Sequence, residues 1–373
     1  MKLFEYQAKQ VFSEAKIPVP RGITAGPGEV TKAVGNIGLP CVLKAQVLQG
    51  GRGKAGLISV VRTEEEAVSE ASRICSVPGV NLLLVEEFLS IQEELFVSVT
   101  CSPVTAELVI LASRYGGIDI ETLAEESPEK LIREPVDIFR GLQGFQARHI
   151  AYAMGLEGQA AKQTAGIIQR LFSLYREFDA ELAEINPLCI TESGEVTAGD
   201  AKLVIDDSCL DRHPQFTMRP EHFDDPTEYE AALEGIPYLK FDGDISLMCA
   251  GAGLTTAVFD LVHYQGGTVA NYLEFGGPNY RKAMKAMELC LRNPSKVILV
   301  VTFGTIARAD VMAQGIVDAV RELKPDRPVI TCIRGTHEEE AVEILSQAGL
   351  EPLFDTEEAV RRAVAAAAGE VHV

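Results

Sequence analysis

The octapeptide QGGRGKAG, residues 49–56, lies between two apolar runs of β type and decides the fold of the first half of the chain. Gly51, Gly53 and Gly56 satisfy the pattern G-x-G-x-x-G of dinucleotide-binding turns. A strand-like LISVV follows, however, where a dinucleotide site requires a helix N-terminus. A Walker loop is also excluded, because alanine follows Lys54 where a magnesium-binding Ser or Thr is needed.

A glycine-rich hairpin that carries cations can serve as a cover for phosphates. Its backbone is free to approach the phosphate oxygens, and Arg52 and Lys54 would neutralise their charge. Lys44 lies upstream on the first strand, within reach of the same phosphates. The alternative is a surface hairpin with a solvated charged tip.

The composition indicates a folded protein with an acidic surface. The chain has 373 residues, of which 47% are hydrophobic and 24% charged, which predicts roughly two or three domains. It has 34 basic and 54 acidic residues, a net charge of −20. Such a charge repels nucleic acids and anionic membranes, so neither is expected as a partner.

Targeting and redox signals are lacking in the sequence. The first residues have an amphipathic pattern without a signal core, and no run of about 18 apolar residues occurs, so a cytoplasmic location is expected. The eight cysteines form no Cys-x-x-Cys pair. Neither a zinc site nor a disulfide framework is therefore predicted.

A second motif is ELAEINPLCITESGEVTAGDAKLVID, residues 181–206. Two predicted strands flank a turn and bring Glu184, Asn186 and Asp200 toward one end of a hairpin. Carboxylate and amide oxygens suit Mg²⁺, which takes one or two protein ligands and completes its shell with water and nucleotide phosphates. The alternative is that Asn186-Pro187 is merely a turn.

The pattern of elements changes near residue 240. Irregularly mixed helices and strands precede it, and regular alternation of strands and helices follows, which is typical of a doubly wound parallel sheet. Strands are expected at residues 245–249, 268–273, 297–302, 328–333 and around Leu353. The polar stretch 206–225 is the expected linker.

In this order, GGRGKAG and EINPL resemble the ATP-grasp nucleotide-binding fold. The similarity runs from EYQAK at residues 5–9 to GAGL at residues 251–254, and the whole order is similar to the β subunit of the succinyl-CoA synthetase family. The resemblance implies an α/β protein with an α+β ATP-grasp domain over residues 1–238, including a linker at about 206–238. A flavodoxin-like, doubly wound domain would occupy residues 239–373.

The resemblance implies an ADP-forming acid-CoA ligase that works with a partner. In the family, an α subunit binds CoA and carries a histidine that transfers a phosphoryl group from the nucleotide to the acid. CoA then attacks the resulting acyl phosphate. This chain would bind ATP or ADP with Mg²⁺, in an αβ or α2β2 assembly.

The family's nucleotide-binding positions correspond to eight residues of this chain. The phosphate contacts correspond to Lys44, Gly51, Arg52 and Gly53. The strand that meets the adenine and ribose corresponds to Glu86, and further nucleotide-binding positions are Leu89 and Glu94. Pro20 matches a position at which this chain resembles ATP-preferring members, so GTP is less favoured. None of the six histidines lies in a glycine-rich turn, which agrees with a phosphorylated histidine on the partner.

The resemblance also assigns the metal and the phosphoryl-transfer residues. Asn186 and Asp200 match the magnesium positions. Glu184 matches a glutamate that orients the partner's histidine at the nucleotide site, as carboxylates do for other catalytic histidines.

The acid site departs from the family at the carboxyl ends of three predicted strands, where ligands bind in parallel sheets. Where the family sequence is usually Gly-Gly-Ile-Val-Arg, this chain has GTIAR at residues 304–308. Thr305 and Ala307 are the two differences, on either side of Ile306. Around Asn271 the chain reads NYLEFGGPN, with a proline in the glycine loop. Asn271, Thr305, Ile306 and Ala307 are the predicted substrate contacts.

Arg334 is a further predicted substrate contact, because CIRG at residues 332–335 replaces the family's Arg-Leu-Glu-Gly. A buried, unpaired arginine would require an anion such as a sulfonate, phosphate or second carboxylate. The alternative is a surface pair with Glu338, four residues on. His337, near the same helix start, is a candidate lining residue.

These departures predict an acid other than succinate: sulfoacetate, malate, citrate or a related dianion. An ordinary succinate-CoA ligase subunit is the alternative within the family. A stand-alone ATP-grasp carboxylate-amine ligase would not need the parallel-sheet domain. A non-catalytic homologue would be expected to lose Lys44, Asp200 or the glycines.

Overall fold

Two compact units make up the computed structural model of the protein, which describes residues 1–370. The first unit comprises Met1–Met218, and the second begins at Arg219. Residues 206–225 hold two short 3₁₀ turns, Asp207–Arg212 and Pro220–His222. Within residues 1–370, no helix combines the length and the apolar character that crossing a bilayer requires.

A small antiparallel sheet begins the first unit, with strands in the order β1-β4-β2-β3. Two helices cover one face of it, because their apolar residues recur every three or four positions and pack on the strands. The elements are β1 Gly22–Ala25, α2 Val30–Ile37, β2 Cys41–Ala45, β3 Ile58–Val61, α3 Glu64–Cys75 and β4 Leu83–Glu87.

The larger sheet of this unit is also antiparallel, in the order β10-β8-β5-β6-β7, with β9 paired to β8. Its central strands and three helices, α1, α5 and α6, enclose the largest apolar cluster of the unit. The elements are α1 Glu5–Glu14, β5 Ile91–Cys101, β6 Leu108–Ser113, α4 Ile120–Glu126, β7 Ile132–Val136, α5 Gly144–Ala153, α6 Gly158–Glu177, β8 Ala180–Thr191, β9 Val196–Ala198 and β10 Lys202–Ile205.

A five-stranded sheet forms the second unit, in the order β11-β13-β12-β14-β15. Only the edge strand β11 is antiparallel to its neighbour. The elements are α7 Pro226–Leu233, β11 Tyr238–Lys240, β12 Ile245–Ala250, α8 Ala252–Tyr264, β13 Val269–Leu273, α9 Ala283–Leu291, β14 Val297–Gly304, α10 Ala309–Leu323, β15 Val329–Gly335, α11 Glu338–Gln347 and α12 Thr356–Ala368.

Helices cover both faces of this sheet, so the predicted doubly wound arrangement is confirmed. Helices α9, α10 and α11 pack on one face, and α8 and α12 pack on the other. The inner strand β14 is buried through Thr302, as expected of a parallel strand with helices on both sides. The carboxyl ends of β12, β13, β14 and β15 consequently lie along one edge of the sheet.

The prediction of a strand around Leu353 is wrong. The chain makes only an isolated bridge there, between Thr331 and Pro352, and the Leu353 N–H donates to Thr331 O at 3.0 Å. Two residues later, Asp355 caps α12 by accepting from the Glu358 N–H at 2.8 Å. The strong helix start ends the extended segment before a ladder can form.

The loops after β14 and β15 approach each other closely at two glycines. Gly335 has φ +119°, and a Cβ at this position would lie 1.9 Å from Gly304 O. The Thr336 N–H donates to the same carbonyl at 3.0 Å, and the Thr336 hydroxyl donates to Thr305 O at 2.9 Å. The two loops are thus fixed to each other.

Gly335→Ala is expected to lower the free energy of unfolding by about 2–5 kcal/mol, since strain at positive φ adds to a backbone clash. Gly349→Ala is the matched control, because Gly349 has φ +79° with no atom within 4 Å of its Cβ position. It should lose only about 1–2 kcal/mol. Urea denaturation followed by circular dichroism measures both, and equal losses would contradict the close approach.

Candidate functional site

The predicted glycine-rich hairpin is present and joins β2 to β3. These strands pair antiparallel from Cys41↔Val61 to Lys44↔Ile58. The hairpin backbone is mostly exposed, but the Arg52 side chain is buried under it and only 10% exposed. The alternative of a hairpin with all its charges in solvent is therefore wrong for Arg52, whereas Lys54 is exposed.

Arg52 connects the hairpin to two carboxylates. Its Nη2 donates to both oxygens of Asp200, at 2.9 and 3.0 Å. Its Nη1 donates to Glu5 Oε2 and also to Ala45 O, the latter at 3.2 Å. A single guanidinium thus joins α1, β2 and the loop that precedes β10.

Two lysines lie behind Arg52 and share the same acceptors. The Lys44 ammonium contacts Glu5 Oε1 at 2.9 Å, Glu86 Oε2 at 2.7 Å and Gly199 O at 2.7 Å. The Lys9 ammonium contacts Glu5 at 3.0 Å, Glu86, and Gly199 O at 2.9 Å. Both lysines and both glutamates are buried.

We call this set the charge cluster; its members are Glu5, Lys9, Lys44, Arg52, Glu86 and Asp200. The cluster contains equal numbers of formal positive and negative charges. This balance is required because a buried charge without a partner is several kcal/mol unfavourable. The cluster links α1, β2, the hairpin, β4 and the loop between β9 and β10.

The charges in the cluster shift the pKa values of its members. Burial would raise the pKa of Glu5, but Lys9, Lys44 and Arg52 hold it well below its ordinary value. Burial would lower the pKa of Lys44, but Glu5 and Glu86 raise it. Both side chains therefore stay charged at neutral pH.

Asp200 differs, because burial and the negative charge of Glu5 raise its pKa despite the nearby Arg52. About one third of its side chain is exposed. Its carboxylate is thus the least stabilised anion of the charge cluster, and it lies at the open side.

Asn186 lies within β8, so the alternative of a simple turn at Asn186-Pro187 is wrong. The pairing of β8 with β5 shifts register here, where a strand tolerates proline. The Gly199 N–H donates to Pro187 O at 2.9 Å, which brings the segment of Asp200 beside that of Asn186.

Both ends of the Asn186 amide are held by a loop after β6. Oδ1 accepts from the Gly117 N–H at 2.8 Å, and Nδ2 donates to Ile118 O at 3.1 Å. These bonds fix the amide orientation, and a carbonyl oxygen keeps a second lone pair for another ligand. An amide oxygen and a carboxylate are hard donors, so Asn186 and Asp200 fit Mg²⁺ chemically.

Glu184 faces Lys202 across the β8–β10 pair. Burial raises the pKa of Glu184, Lys202 opposes the shift, and Asp200 adds to it. Lys2 is close to Glu184 and Lys202. Its pKa is lowered by burial and by the positive charges of Lys202 and Arg52. Glu184 is therefore a carboxyl that holds a proton more readily than usual, beside the proposed metal ligands.

The remaining predicted nucleotide residues have different surroundings. Leu89 is half-buried and Glu94 is exposed, whereas Pro20 is buried. Glu86 is occupied by Lys9 and Lys44 and is 2% exposed. The Glu86 carboxylate serves as a counter-ion to Lys9 and Lys44 in the charge cluster, and the match of Glu86 to the strand that meets adenine and ribose stays a prediction.

In the second unit, Thr305 and Ile306 are exposed and Ala307 is half-buried, all beyond the carboxyl end of β14. The helix α10 begins at Ala309. Asp310 lies in its first turn and pairs with Arg308, the shortest contact being 2.5 Å. The helix start therefore already has a side-chain anion near its N–H groups.

Arg334 forms the ion pair with Glu338 that was the alternative to a substrate contact. Its Nε lies 2.7 Å from Glu338 Oε1. It also donates to Phe354 O. The need for an anionic ligand to neutralise a buried, unpaired Arg334 does not arise. His337 contacts Glu340 through Nδ1 at 3.0 Å and is partly exposed.

Asn271 is fully buried in β13. Its Nδ2 donates to Leu247 O at 2.8 Å, and its Oδ1 accepts from Asn293 at 2.9 Å. Its side-chain hydrogen bonds are therefore internal to the second unit, and the predicted contact of Asn271 with the acid stays a prediction.

Sequence reasoning missed the roles of Glu5, Lys9 and the pair Gly116–Gly117. Glu5 and Lys9 are four residues apart on the buried face of an amphipathic helix, and charges on an apolar face are a signal of buried pairing. A Cβ on Gly117 would lie 2.1 Å from Glu94 Oε2. This glycine lets the loop approach both Glu94 and Asn186.

Comparison with protein families divides the chain in the same way as the two folds do. Residues 2–190 match the ATP-grasp domain and residues 248–366 match the CoA-ligase domain. The fold and the site therefore define an ATP-grasp nucleotide-binding unit followed by a CoA-ligase unit.

Relatives narrow this class. The chain is 56% identical to the ADP-forming sulfoacetate-CoA ligase subunit SqwK of Acholeplasma sp, over 99% of this chain and 92% of that protein. It is 54% identical to the corresponding subunit SauC of Bilophila wadsworthia (strain 3_1_6), over 99% and 100%. It is 42% identical to the β subunit of succinate-CoA ligase [ADP-forming] of Ignicoccus hospitalis, over 98% of each.

The chain belongs to the family of ADP-forming CoA-ligase subunits, and it is a ligase that forms acid-thiol bonds. Among solved structures, ATP citrate lyase from Methanothrix soehngenii has the same fold. The TM-score is 0.76 at 20% identity, and 99% of each chain is covered.

Glu5→Gln is expected to destabilise the protein by about 3–5 kcal/mol at pH 7, because it leaves an uncompensated cation in the charge cluster. The pKa of Glu5 is depressed on folding, so its stabilisation is fully present above its ordinary pKa and is lost progressively as the pH falls from there through the lowered folded-state pKa. The difference between variant and wild type should therefore shrink in acid.

Urea denaturation at pH 7 and at about pH 3, well below the ordinary glutamate pKa, provides the measurement. Glu14→Gln, on the same helix but exposed, is the control and should change stability by no more than about 0.5 kcal/mol. A loss in Glu5→Gln that is equally small would show that the cluster does not need its charge balance.

Proposed function

We propose that this chain is the nucleotide-binding subunit of an ADP-forming sulfoacetate-CoA ligase. ATP, sulfoacetate and CoA would give ADP, phosphate and sulfoacetyl-CoA. The observation that carries the proposal is the charge cluster, whose member Asp200 lies beside the segment of a second hard metal donor, Asn186. The choice of acid is supported by the names of two relatives above 50% identity.

The nucleotide would lie under the hairpin of residues 49–56. Lys44 and Arg52 would contact phosphates, with backbone N–H groups of Gly51 and Gly53 as further donors. Asn186 and Asp200 would hold Mg²⁺, which when bound neutralises phosphate charge and orients the terminal phosphate. Pro20 supports ATP over GTP by its likeness to ATP-preferring members of the family.

The phosphoryl group would pass to a histidine of a partner subunit, as the resemblance to the family implies, and the subunit names of relatives support the existence of such a partner. Glu184 would accept a hydrogen bond from that histidine and orient it. Glu184 must be ionised for this role, because only the carboxylate is purely a hydrogen-bond acceptor. The partner would bind most of the CoA, in an αβ or α2β2 assembly in the cytoplasm.

The acid would bind near residues 304–308 of the second unit. Thr305 and Ile306 are exposed there, and Ala307 is smaller than the valine of the usual family text. A sulfonate is bulkier than a carboxylate, with three acceptor oxygens, and a threonine hydroxyl offers it a donor that glycine lacks. Succinate, malate and citrate are the competing acids, because a relative at 42% identity is named for succinate.

A CoA-release assay of the complete complex over sulfoacetate, succinate, malate and citrate tests the proposal. Sulfoacetate should give the highest kcat/KM, by at least about tenfold, since a site with a matched donor discriminates against analogues that lack the partner group. If succinate gives the highest value, the acid is wrong. If no acid supports ADP formation, the ligase function is wrong.

A double variant tests which residues choose the acid. The double variant Thr305→Gly, Ala307→Val restores the usual family sequence at this segment. It should lower the sulfoacetate-to-succinate ratio of kcat/KM by about tenfold. Thr105→Gly, an exposed loop threonine of the first unit, is the control and should leave the ratio unchanged. An unchanged ratio in the double variant would place the selection elsewhere.

A further inference from the structure

Arg52 and a metal ion would compete for the same carboxylate. The Arg52 Nη2 donates to both oxygens of Asp200, at 2.9 and 3.0 Å. Asp200 is also one of the two proposed magnesium ligands, so this inference rests on the proposed function. A carboxylate that accepts from a guanidinium through both oxygens has lost its best positions for a divalent cation.

The formal charges of the charge cluster also indicate that Arg52 and a metal ion compete. The charge cluster is formally neutral as it stands, with Lys9, Lys44 and Arg52 against Glu5, Glu86 and Asp200. A divalent cation added alone would give this half-enclosed region two extra positive charges beside Arg52. Nucleotide phosphates would offset those charges and provide Arg52 with a new anion.

The position of Arg52 allows such an exchange without loss of its anchor. Its Nη1 donates to Glu5 and to Ala45 O, so those bonds can remain while Nη2 leaves Asp200. The hairpin can accommodate the shift, because a Cβ at Gly50, Gly51 or Gly53 would meet no atom within 4 Å. Nη1 of the guanidinium can therefore stay bonded to Glu5 and Ala45 O while Nη2 moves from Asp200 to another anion.

We propose that Arg52 is an exchangeable counter-ion of Asp200 that makes metal binding depend on nucleotide phosphate. With no phosphate bound, Arg52 keeps the Asp200 carboxylate. When phosphates enter under the hairpin, Arg52 moves to them and Asp200 becomes available to the metal. The metal and the nucleotide consequently bind together.

Mn²⁺ alone is the probe, because its binding to the full-length chain is read directly by electron paramagnetic resonance without nucleotide or turnover. Wild type should bind Mn²⁺ weakly. Arg52→Gln should bind it about tenfold or more tightly, since a charge-assisted contact that occupies both Asp200 oxygens is removed. Arg52→Lys keeps the charge, but one ammonium cannot replace two nitrogens that contact Glu5, Ala45 O and Asp200 together, so the affinity should also rise several-fold.

Two further variants separate the exchange from general electrostatics. Lys54→Gln removes the same charge from the same hairpin, but its side chain is exposed, so its Mn²⁺ affinity should stay within about twofold of wild type. Arg52→Gln combined with Asp200→Asn should lose the gain, because the released carboxylate is gone. Circular dichroism checks that each variant is folded, and Arg52→Lys carries the test if Arg52→Gln is not.

The outcomes are distinct. Equal Mn²⁺ affinities in wild type, Arg52→Lys and Arg52→Gln would overturn the exchange, and so would an equal gain in Lys54→Gln. Either result would leave the ligase function standing if the acid panel gives ADP formation. Failure of the acid panel overturns the function, whatever the Mn²⁺ affinities are.

Discussion

The buried ion pairs around Glu5 are the constraint on which the first unit depends. Its carboxylate contacts Lys9, Lys44 and Arg52, and no other single side chain of the charge cluster meets all three of its cations. Because charges in a low-dielectric interior must be paired, the helix, the small sheet and the hairpin are held together through these contacts. The proposed phosphate contacts Lys44 and Arg52 belong to the same set, so the residues proposed to bind the nucleotide also hold the first unit together.

The second unit is organised by a different constraint, the close contact of the loops after β14 and β15. Gly335 can approach Gly304 O because it has no Cβ, and Thr336 then bonds to both Gly304 and Thr305. The exposed residues Thr305 and Ile306 are thereby held on a fixed support, which is what a selective small-molecule site requires. Loop length alone would not achieve this.

Much of the site could be predicted from local patterns. QGGRGKAG between two apolar runs predicted the hairpin, and the oxygen donors of Asn186 and Asp200 predicted a metal site beside it. The partners of three predicted site residues could not be predicted. Asn271, Glu86 and Arg334 were assigned from their positions along the chain, and the structure shows that their side chains contact Asn293, Lys44 and Glu338. Position in a motif does not reveal which partner a side chain meets.

The sequence by itself determined the class of each unit, because strand and helix periodicity, glycine turns and the regular alternation after residue 240 are short-range properties. Only the tertiary structure decided how the charges are distributed. Arg52 and Asp200 are 148 residues apart in the chain, and Lys44 and Glu5 are 39 apart. No spacing rule joins such residues, since their pairing follows from the packing of whole strands and helices. That packing brings the hairpin arginine into a formally neutral charge cluster with residues of α1, β2, β4 and the loop before β10.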